Sequence, residues 1–120
     1  MKIDRIENMV GGWFVGNFDP TAFKTDKFEV SYKIHPKWQL WDIHYHTNVT
    51  EINLVVRGKM ILQGVTLIQG DIFTLEPYEI ADPEFLEDTE IVCVKTPSLN
   101  DKVSVYKKWY VWNFESWYQN

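Results

Sequence analysis

The chain has 120 residues, 45% of them hydrophobic and 24% charged, which is the composition of one folded domain and not of a disordered chain. The net charge of −5, with no basic cluster, argues against nucleic acid as a partner, and no apolar run is long enough to cross a bilayer. The single cysteine, Cys93, excludes an internal disulfide. The first ten residues mix charges of both signs, unlike a signal peptide. We therefore expect a cytoplasmic protein with no membrane partner.

Short segments of alternating hydrophobicity follow one another along the chain and predict strands. The first runs over residues 28–34 and places four apolar residues on one face: Phe28, Val30, Tyr32 and Ile34. Further strands are predicted at 41–45, 52–56, 59–62, 65–68, 71–75, 91–94 and 103–106. Gln63-Gly64 is a suitable tight turn between two of them. About eight short strands separated by turns favour an antiparallel sandwich or barrel.

The two ends of the chain differ from this pattern. Residues 1–10 are predicted to form a short turn or helix. Residues 107–118 are rich in aromatic side chains, but their apolar positions mix helical and strand spacing, so no state is assigned to them. Six Trp and seven Phe are many for a barrel of this size to bury, so we expect the aromatic tail to pack on its own barrel or on a second subunit. On this basis we expect a homodimer.

The residues that carry chemistry are concentrated in one stretch. His44 and His46 are two positions apart, so on a strand both imidazoles project from the same face. Glu51 would lie on the opposite face of a straight strand, but a turn within 47–50 would return it to the histidines. Two imidazoles and a carboxylate on neighbouring strands form a ligand set for a divalent first-row metal. The alternative is that the paired histidines only line a half-exposed strand.

This stretch resembles the first motif of the cupin superfamily, Gly-x5-His-x-His-x3 or x4-Glu-x6-Gly. His44, His46, Glu51 and Gly58 match in type and spacing, whereas Trp38 stands where the family has its leading glycine. The resemblance implies an all-β double-stranded β-helix, that is, a cupin or jelly-roll barrel. The barrel core would span about residues 28–106 of a single domain, residues 1–120, with short N-terminal and C-terminal extensions.

A second stretch is similar to the second cupin motif, Gly-x5-Pro-x-Gly-x2-His-x3-Asn. Gly70 and Pro77 match it, although the gap between them is one residue longer. Glu79 stands where the family has glycine, and Asp82 where it has the histidine that is the fourth metal ligand. The resemblance implies that Asp82 completes a set of two His and two carboxylates, which suits Mn, Fe, Ni or Zn. Alternatively, Asp82 belongs to an ordinary turn and water fills the fourth position.

Other residues are assigned to the surroundings of this site. Asn53 shares the inward side of its strand with Glu51, so it is predicted to orient that carboxylate or to contact a ligand. Glu79, at the edge of the second motif, is a candidate general base. Cys93 lies in an apolar strand and is predicted to be inert. His35 precedes a proline in a polar stretch and is predicted to be a loop residue.

Because the fold does not determine the function, three hypotheses remain open. The first is a metal-dependent sugar or sugar-phosphate isomerase or epimerase, in which Asn53 and Glu79 assist catalysis. The second is a non-haem Fe(II) dioxygenase, and the third is a non-catalytic module that binds a metal or ligand. Residues 94–102 are similar to the end of small stand-alone cupins, some of them linked to surface polysaccharide synthesis. This similarity favours a sugar or an organic acid as the ligand.

Overall fold

A computed structural model describes residues 1–105 of the chain. Two short 3-10 helices, Ile6–Asn8 and Val10–Gly12, precede the strands. The strands are β1 (Trp13–Gly16), β2 (Phe23–Lys24), β3 (Glu29–His35), β4 (His44–His46), β5 (Thr50–Arg57), β6 (Lys59–Leu62), β7 (Val65–Ile68), β8 (Ile72–Leu75), β9 (Glu84–Phe85), β10 (Thr89–Thr96) and β11 (Lys102–Ser104). The predicted all-β architecture is confirmed. The aromatic tail predicted at 107–118 lies outside the described residues.

The strands form three sheets. The largest has six strands in the order β2-β1-β3-β10-β5-β8, and β10 pairs antiparallel with both β3 and β5 at its centre. A three-stranded sheet has the order β7-β6-β9, and β4 pairs with β11 in a two-stranded sheet. Neighbouring strands are often distant in sequence, so the chain crosses repeatedly between sheets, as expected of a barrel built from Greek-key connections.

A small apolar core joins the large sheet to the three-stranded sheet. Val55 of β5 and Ile91 of β10, from the large sheet, pack with Met60 of β6 and Phe85 of β9, from the three-stranded sheet. Met60 and Phe85 are among the largest side chains that are fully buried. Met60, Phe85 and Ile91 also line a cavity inside the barrel, so the apolar core forms part of the wall of that cavity.

The N-terminal extension contributes more to the barrel than the sequence suggests. Strand β1 pairs with β3 and brings Trp13 beside Ser31, so the large sheet reaches beyond the expected core of residues 28–106. Gly12, just before β1, has a positive φ of 79°, and a Cβ there would collide with the main chain of β3. A glycine therefore allows β1 to approach β3 closely.

The alternation of side chains predicted for residues 28–34 is present in β3, and the two faces of this strand differ in their surroundings. Val30, Tyr32 and Ile34 are directed away from the barrel interior and are half-buried or exposed. The other face of β3 carries polar side chains that line the cavity, Ser31 and Lys33 among them. Within residues 1–105, no helix has the length and apolar character needed to cross a membrane.

Candidate metal centre

The two histidines of the first motif lie side by side on β4. His44 and His46 are 7% and 5% exposed, and their rings meet edge to face with centroids 5.3 Å apart. Both rings therefore project into the barrel from one strand, as their spacing of two residues predicts. Local strand geometry alone is sufficient to bring these two side chains together.

Glu51, near the start of β5, completes a three-residue group. One carboxylate oxygen lies 3.3 Å from Nε2 of His46. One ligand atom from each of His44, His46 and Glu51 can be chosen so that all three lie within 4.8 Å of one another. The chain bends at residues 47–49 between β4 and β5, which returns Glu51 to the histidines as predicted.

Hydrogen bonds fix the orientation of both imidazoles. Nδ1 of His44 lies 2.9 Å from the main-chain oxygen of Asp42, and Nδ1 of His46 lies 2.7 Å from Oδ1 of Asp101. A carbonyl or an ionised carboxylate can only accept a hydrogen bond, so Nδ1 of each ring must donate. When each ring is neutral, its Nε2 therefore carries a free lone pair, as metal ligation requires.

Asp101 also holds the bend between β4 and β5. Its second carboxylate oxygen accepts hydrogen bonds from the main-chain N–H groups of Thr47 at 3.1 Å, Asn48 at 2.6 Å and Val49 at 3.0 Å. One carboxylate thus orients His46 and shapes the turn that brings Glu51 to it. Asp101 was not identified from the sequence as a site residue. The only feature that pointed to it was its place within residues 94–102, which resemble the end of small stand-alone cupins.

The charges at the site agree with a role in metal binding. Burial lowers the pKa of His44, so this ring is held neutral. Burial opposes ionisation of Glu51, but hydrogen bonds from His46 and Asn53 outweigh it and lower the pKa of this carboxyl group. The hydrogen bond to Glu51 raises the pKa of His46, against the effect of burial. A proton and a metal ion therefore compete for the His46–Glu51 pair.

Asn53 lies where its position on β5 predicts. It is 4% exposed, and its Nδ2 donates a hydrogen bond of 3.0 Å to the second oxygen of Glu51. This bond fixes the rotation of the carboxylate and leaves the first oxygen beside His46. Asn53 therefore orients Glu51, which was one of the two roles expected of it.

The structure does not bring Asp82 into this group. Ala81 pairs with His44 across an isolated antiparallel bridge, and residues paired in this way share one face of the sheet. Ala81 therefore lines the cavity, and its neighbour Asp82 is directed away from it. The carboxylate of Asp82 accepts a hydrogen bond of 2.8 Å from the main-chain N–H of Gln63 in the β6–β7 turn.

Glu79 is also placed away from the group. It is exposed, and its carboxylate accepts a hydrogen bond of 2.8 Å from the main-chain N–H of Glu76. The side chain thus closes a surface turn and does not line the cavity. The expected general base is therefore not at the position that the second motif indicated.

The three grouped residues open onto a cavity of about 280 Å³ inside the barrel. This volume is just below the range of about 300–1,000 Å³ that is usual for small-molecule sites, so the cavity suits a compact ligand. Its wall includes Trp13, Trp41, Lys33, His35 and Cys93. Burial strongly raises the pKa of the Cys93 thiol, in agreement with an inert side chain.

His35 was expected in a loop, but it is the last residue of β3 and is 7% exposed. Its ring stacks on Phe85 with centroids 4.4 Å apart, and Nδ1 lies 2.7 Å from Oε1 of Gln39. Burial lowers the pKa of His35, so the ring is neutral. The polar sequence around His35 concealed the end of a strand that reaches the cavity.

Comparisons with known proteins agree on the fold. An uncharacterised Klebsiella pneumoniae protein with a double-stranded β-helix domain superimposes with a TM-score of 0.62 and 20% identity over 69% of this chain and 74% of that one. KdgF from Halomonas superimposes with a TM-score of 0.57 and 22% sequence identity, over 64% of this chain and 74% of KdgF. Pac13, a nucleoside dehydratase, superimposes with a TM-score of 0.58 and 17% sequence identity, over 68% of this chain and 70% of Pac13. A variant of Streptomyces Pac13 has been solved with uridine.

No protein-family profile matches the sequence, and no curated protein matches it either. The structural likenesses, which extend to a cupin protein from Bacteroides fragilis, identify the fold as the double-stranded β-helix of the cupins. The expected fold is thus confirmed. In this barrel His44, His46 and Glu51 could together hold a metal ion.

Proposed function

We propose that the protein is a metal-dependent enzyme that acts on a small hydroxylated compound, as a sugar or sugar-phosphate isomerase or epimerase. The ligands of the metal would be Nε2 of His44, Nε2 of His46 and a carboxylate oxygen of Glu51. One observation carries this proposal: three donors converge at the wall of a cavity, and a separate hydrogen bond fixes each of them in a metal-binding orientation. Mn, Fe, Ni and Zn all accept such a donor set.

A bound divalent ion would supply Lewis acidity to two neighbouring oxygens of the substrate. The chain itself supplies orientation and proton transfer. Asp101 and Asn53 hold the donors, and His35 is the lining side chain best suited to move a proton. With Nδ1 held by Gln39 and the ring neutral, Nε2 of His35 can accept a proton from a carbon next to a carbonyl. His35 replaces Glu79 in this role, because Glu79 does not line the cavity.

The test is proton exchange in heavy water. The protein, loaded in turn with Mn, Fe, Ni or Zn, is incubated with aldoses, ketoses, sugar phosphates and keto acids, with and without oxygen. Deuterium at a substrate carbon without oxygen uptake supports the proposal. Exchange should be lost in His46→Ala and retained in Asp82→Asn, the matched control outside the cavity. Equal exchange in His46→Ala and the parent would contradict it.

A second candidate, a non-haem Fe(II) dioxygenase, is favoured by one observation. The residue paired with His44 on the neighbouring segment is Ala81, whose methyl group cannot bind a metal. Three protein ligands would therefore leave neighbouring coordination positions of the metal open. Oxygen consumption that follows iron content would support this candidate over the isomerase. The absence of both deuterium exchange and oxygen uptake would favour the third hypothesis, a non-catalytic binding module.

We further propose that the protein is a homodimer, because the outer face of the large sheet is apolar and exposed. On it, Ile34, Ile52, Leu54 and Ile72 are between 38% and 67% exposed. Exposed apolar patches of this kind usually mark interfaces. Light scattering should give twice the chain mass of 14.3 kDa, and a value equal to one chain would refute the dimer.

A further inference from the structure

The charged side chains that line the cavity are mostly positive, although the whole chain is acidic. The net charge of the chain is −5. Among the described residues that line the cavity, however, there are three lysines, Lys33, Lys95 and Lys102, and one carboxylate, Glu51. The cavity therefore differs in sign from the rest of the molecule, and such a local field favours an anionic ligand.

Two of these lysines already have carboxylate partners. Nζ of Lys95 lies 3.0 Å from Glu29, and Nζ of Lys102 lies 3.0 Å from Asp42. Lys33 differs, because within residues 1–105 no carboxylate lies at ion-pair distance from it. Its Nζ instead lies over two indole rings, 4.8 Å from the centroid of Trp13 and 5.4 Å from that of Trp41. Burial is the main cause that lowers the pKa of Lys33, and the neighbouring Lys95 and Lys102 lower it further.

A second polar group, on the same strand, has no hydrogen-bond partner among residues 1–105. Ser31 precedes Lys33 by two residues, shares its inward face and is 1% exposed. Its hydroxyl has no hydrogen-bond partner in the described part of the chain. Buried hydroxyls are nearly always paired in folded proteins, so this unpaired one beside the cavity is a candidate partner for a ligand. Because its oxygen has almost no accessible surface, a ligand would reach it only with a small shift of the cavity wall.

We propose that Lys33 and Ser31 form an anion subsite, beside the indole rings of Trp13 and Trp41, that binds the carboxylate or phosphate group of the substrate. The subsite rests on the proposed function, because the rest of the same molecule would reach His44, His46 and Glu51. Nζ of Lys95 also lies over Trp13, and Nζ of Lys102 lies over Trp41, so the two indole rings hold three ammonium groups around the subsite. This arrangement suits the anionic group of a sugar acid or a sugar phosphate. The cavity has room for one such compact molecule.

The test compares D-glucuronate, D-glucose 6-phosphate and neutral D-glucose by isothermal titration calorimetry, on metal-loaded and metal-free protein. The parent should bind at least one of the two anionic compounds about tenfold more tightly than glucose, because a charge-assisted hydrogen bond is lost with the neutral sugar. The two anionic compounds distinguish a carboxylate subsite from a phosphate subsite. Equal binding of all three, or no binding of either anion, would overturn the proposal.

The variant Lys33→Met keeps the length of the side chain and removes its charge, so it should abolish the preference for the anion. Lys33→Arg should retain the preference. The matched control is Lys37→Met, because Lys37 also lies over an indole ring, 5.6 Å from the centroid of Trp38, but outside the cavity. An anion preference that survives in Lys33→Met would overturn the proposed subsite. Intact metal binding in the same variant would show that this result does not count against the proposed metal centre.

Thermal unfolding separates a binding role of Lys33 from a structural one. Since Lys33 lacks an ion-pair partner among residues 1–105, Lys33→Met should not lower the melting temperature. Lys95→Met should lower it, because that change leaves Glu29 buried without its cation. If the melting temperature falls as much in Lys33→Met as in Lys95→Met, Lys33 supports the fold, and this result would count against the subsite.

Discussion

Asp101 offers the sharpest test of how the site is built, through the change Asp101→Asn. In the parent, one carboxylate oxygen accepts from His46 and the other accepts three main-chain N–H bonds from residues 47–49. The amide oxygen of Asn can keep the three main-chain bonds, and its NH2 group then faces Nδ1 of His46. Because NH2 only donates, Nδ1 must accept, and the proton moves to Nε2. The metal-binding nitrogen of His46 is thereby blocked.

The expected loss follows from the roles of such supporting groups. Removing the hydrogen-bond partner of a ligating histidine usually lowers metal affinity by about 10- to 100-fold. We expect a loss in this range for Asp101→Asn, with little change in stability. In Asp101→Ala the three main-chain bonds are lost as well. Hydrogen bonds to a charged acceptor contribute about 1.5–3 kcal/mol each to stability. Because Asn48 is exposed, water can replace part of its lost hydrogen bond. We therefore expect Asp101→Ala to lower the free energy of unfolding by about 2–4 kcal/mol.

The assay is competition between the protein and a chelating indicator for Zn or Mn, with urea unfolding measured in parallel. Asp82→Asn is the matched control, since it alters a carboxylate that also accepts a main-chain N–H but faces away from the cavity. Its metal affinity should equal that of the parent. If Asp101→Asn binds metal as tightly as the parent, Asp101 does not orient His46, and the reasoning is refuted.

Two further predictions concern other parts of the barrel. Cys93 is 8% exposed and burial raises the pKa of its thiol, so the folded protein should resist alkylation by iodoacetamide at about pH 8, and rapid labelling would contradict this. Gly58→Ala should destabilise the protein by about 2–4 kcal/mol in urea unfolding, because φ is +103° and a Cβ would lie 2.6 Å from Cα of Thr89. Gly64→Ala, at φ +74° with open space around it, should cost only about 1 kcal/mol, and equal losses would refute the steric argument.

The features that could be predicted from the sequence are those set by local geometry. The spacing of His44 and His46 places them on one face of a strand, and the short bend before Glu51 returns the carboxylate to them. The turn at Gln63-Gly64 follows from the preference of glycine for a positive φ, which is 74° at Gly64. Each of these inferences involves residues fewer than ten positions apart, where strand periodicity limits the choices.

The features that were missed depend on distant contacts or on the orientation of a face. Asp101 meets His46 across 55 residues, and no periodicity connects two such positions. Asp82 occupies the position indicated by the motif, but the bridge between Ala81 and His44 directs it outward. A shift of one residue exchanges the two faces of a strand, so spacing alone could not decide between Ala81 and Asp82. The apolar face of β3 turned outward for the same reason.

The central claim, a metal held by His44, His46 and Glu51, is tested most directly by elemental analysis and anomalous scattering on crystals of the parent and of His46→Ala. The account predicts about one Mn, Fe, Ni or Zn ion per parent chain, with the anomalous peak between both Nε2 atoms and the Glu51 carboxylate. In His46→Ala the metal content should fall sharply. Undiminished metal in that variant, or an anomalous peak at another place in the barrel, would contradict the claim.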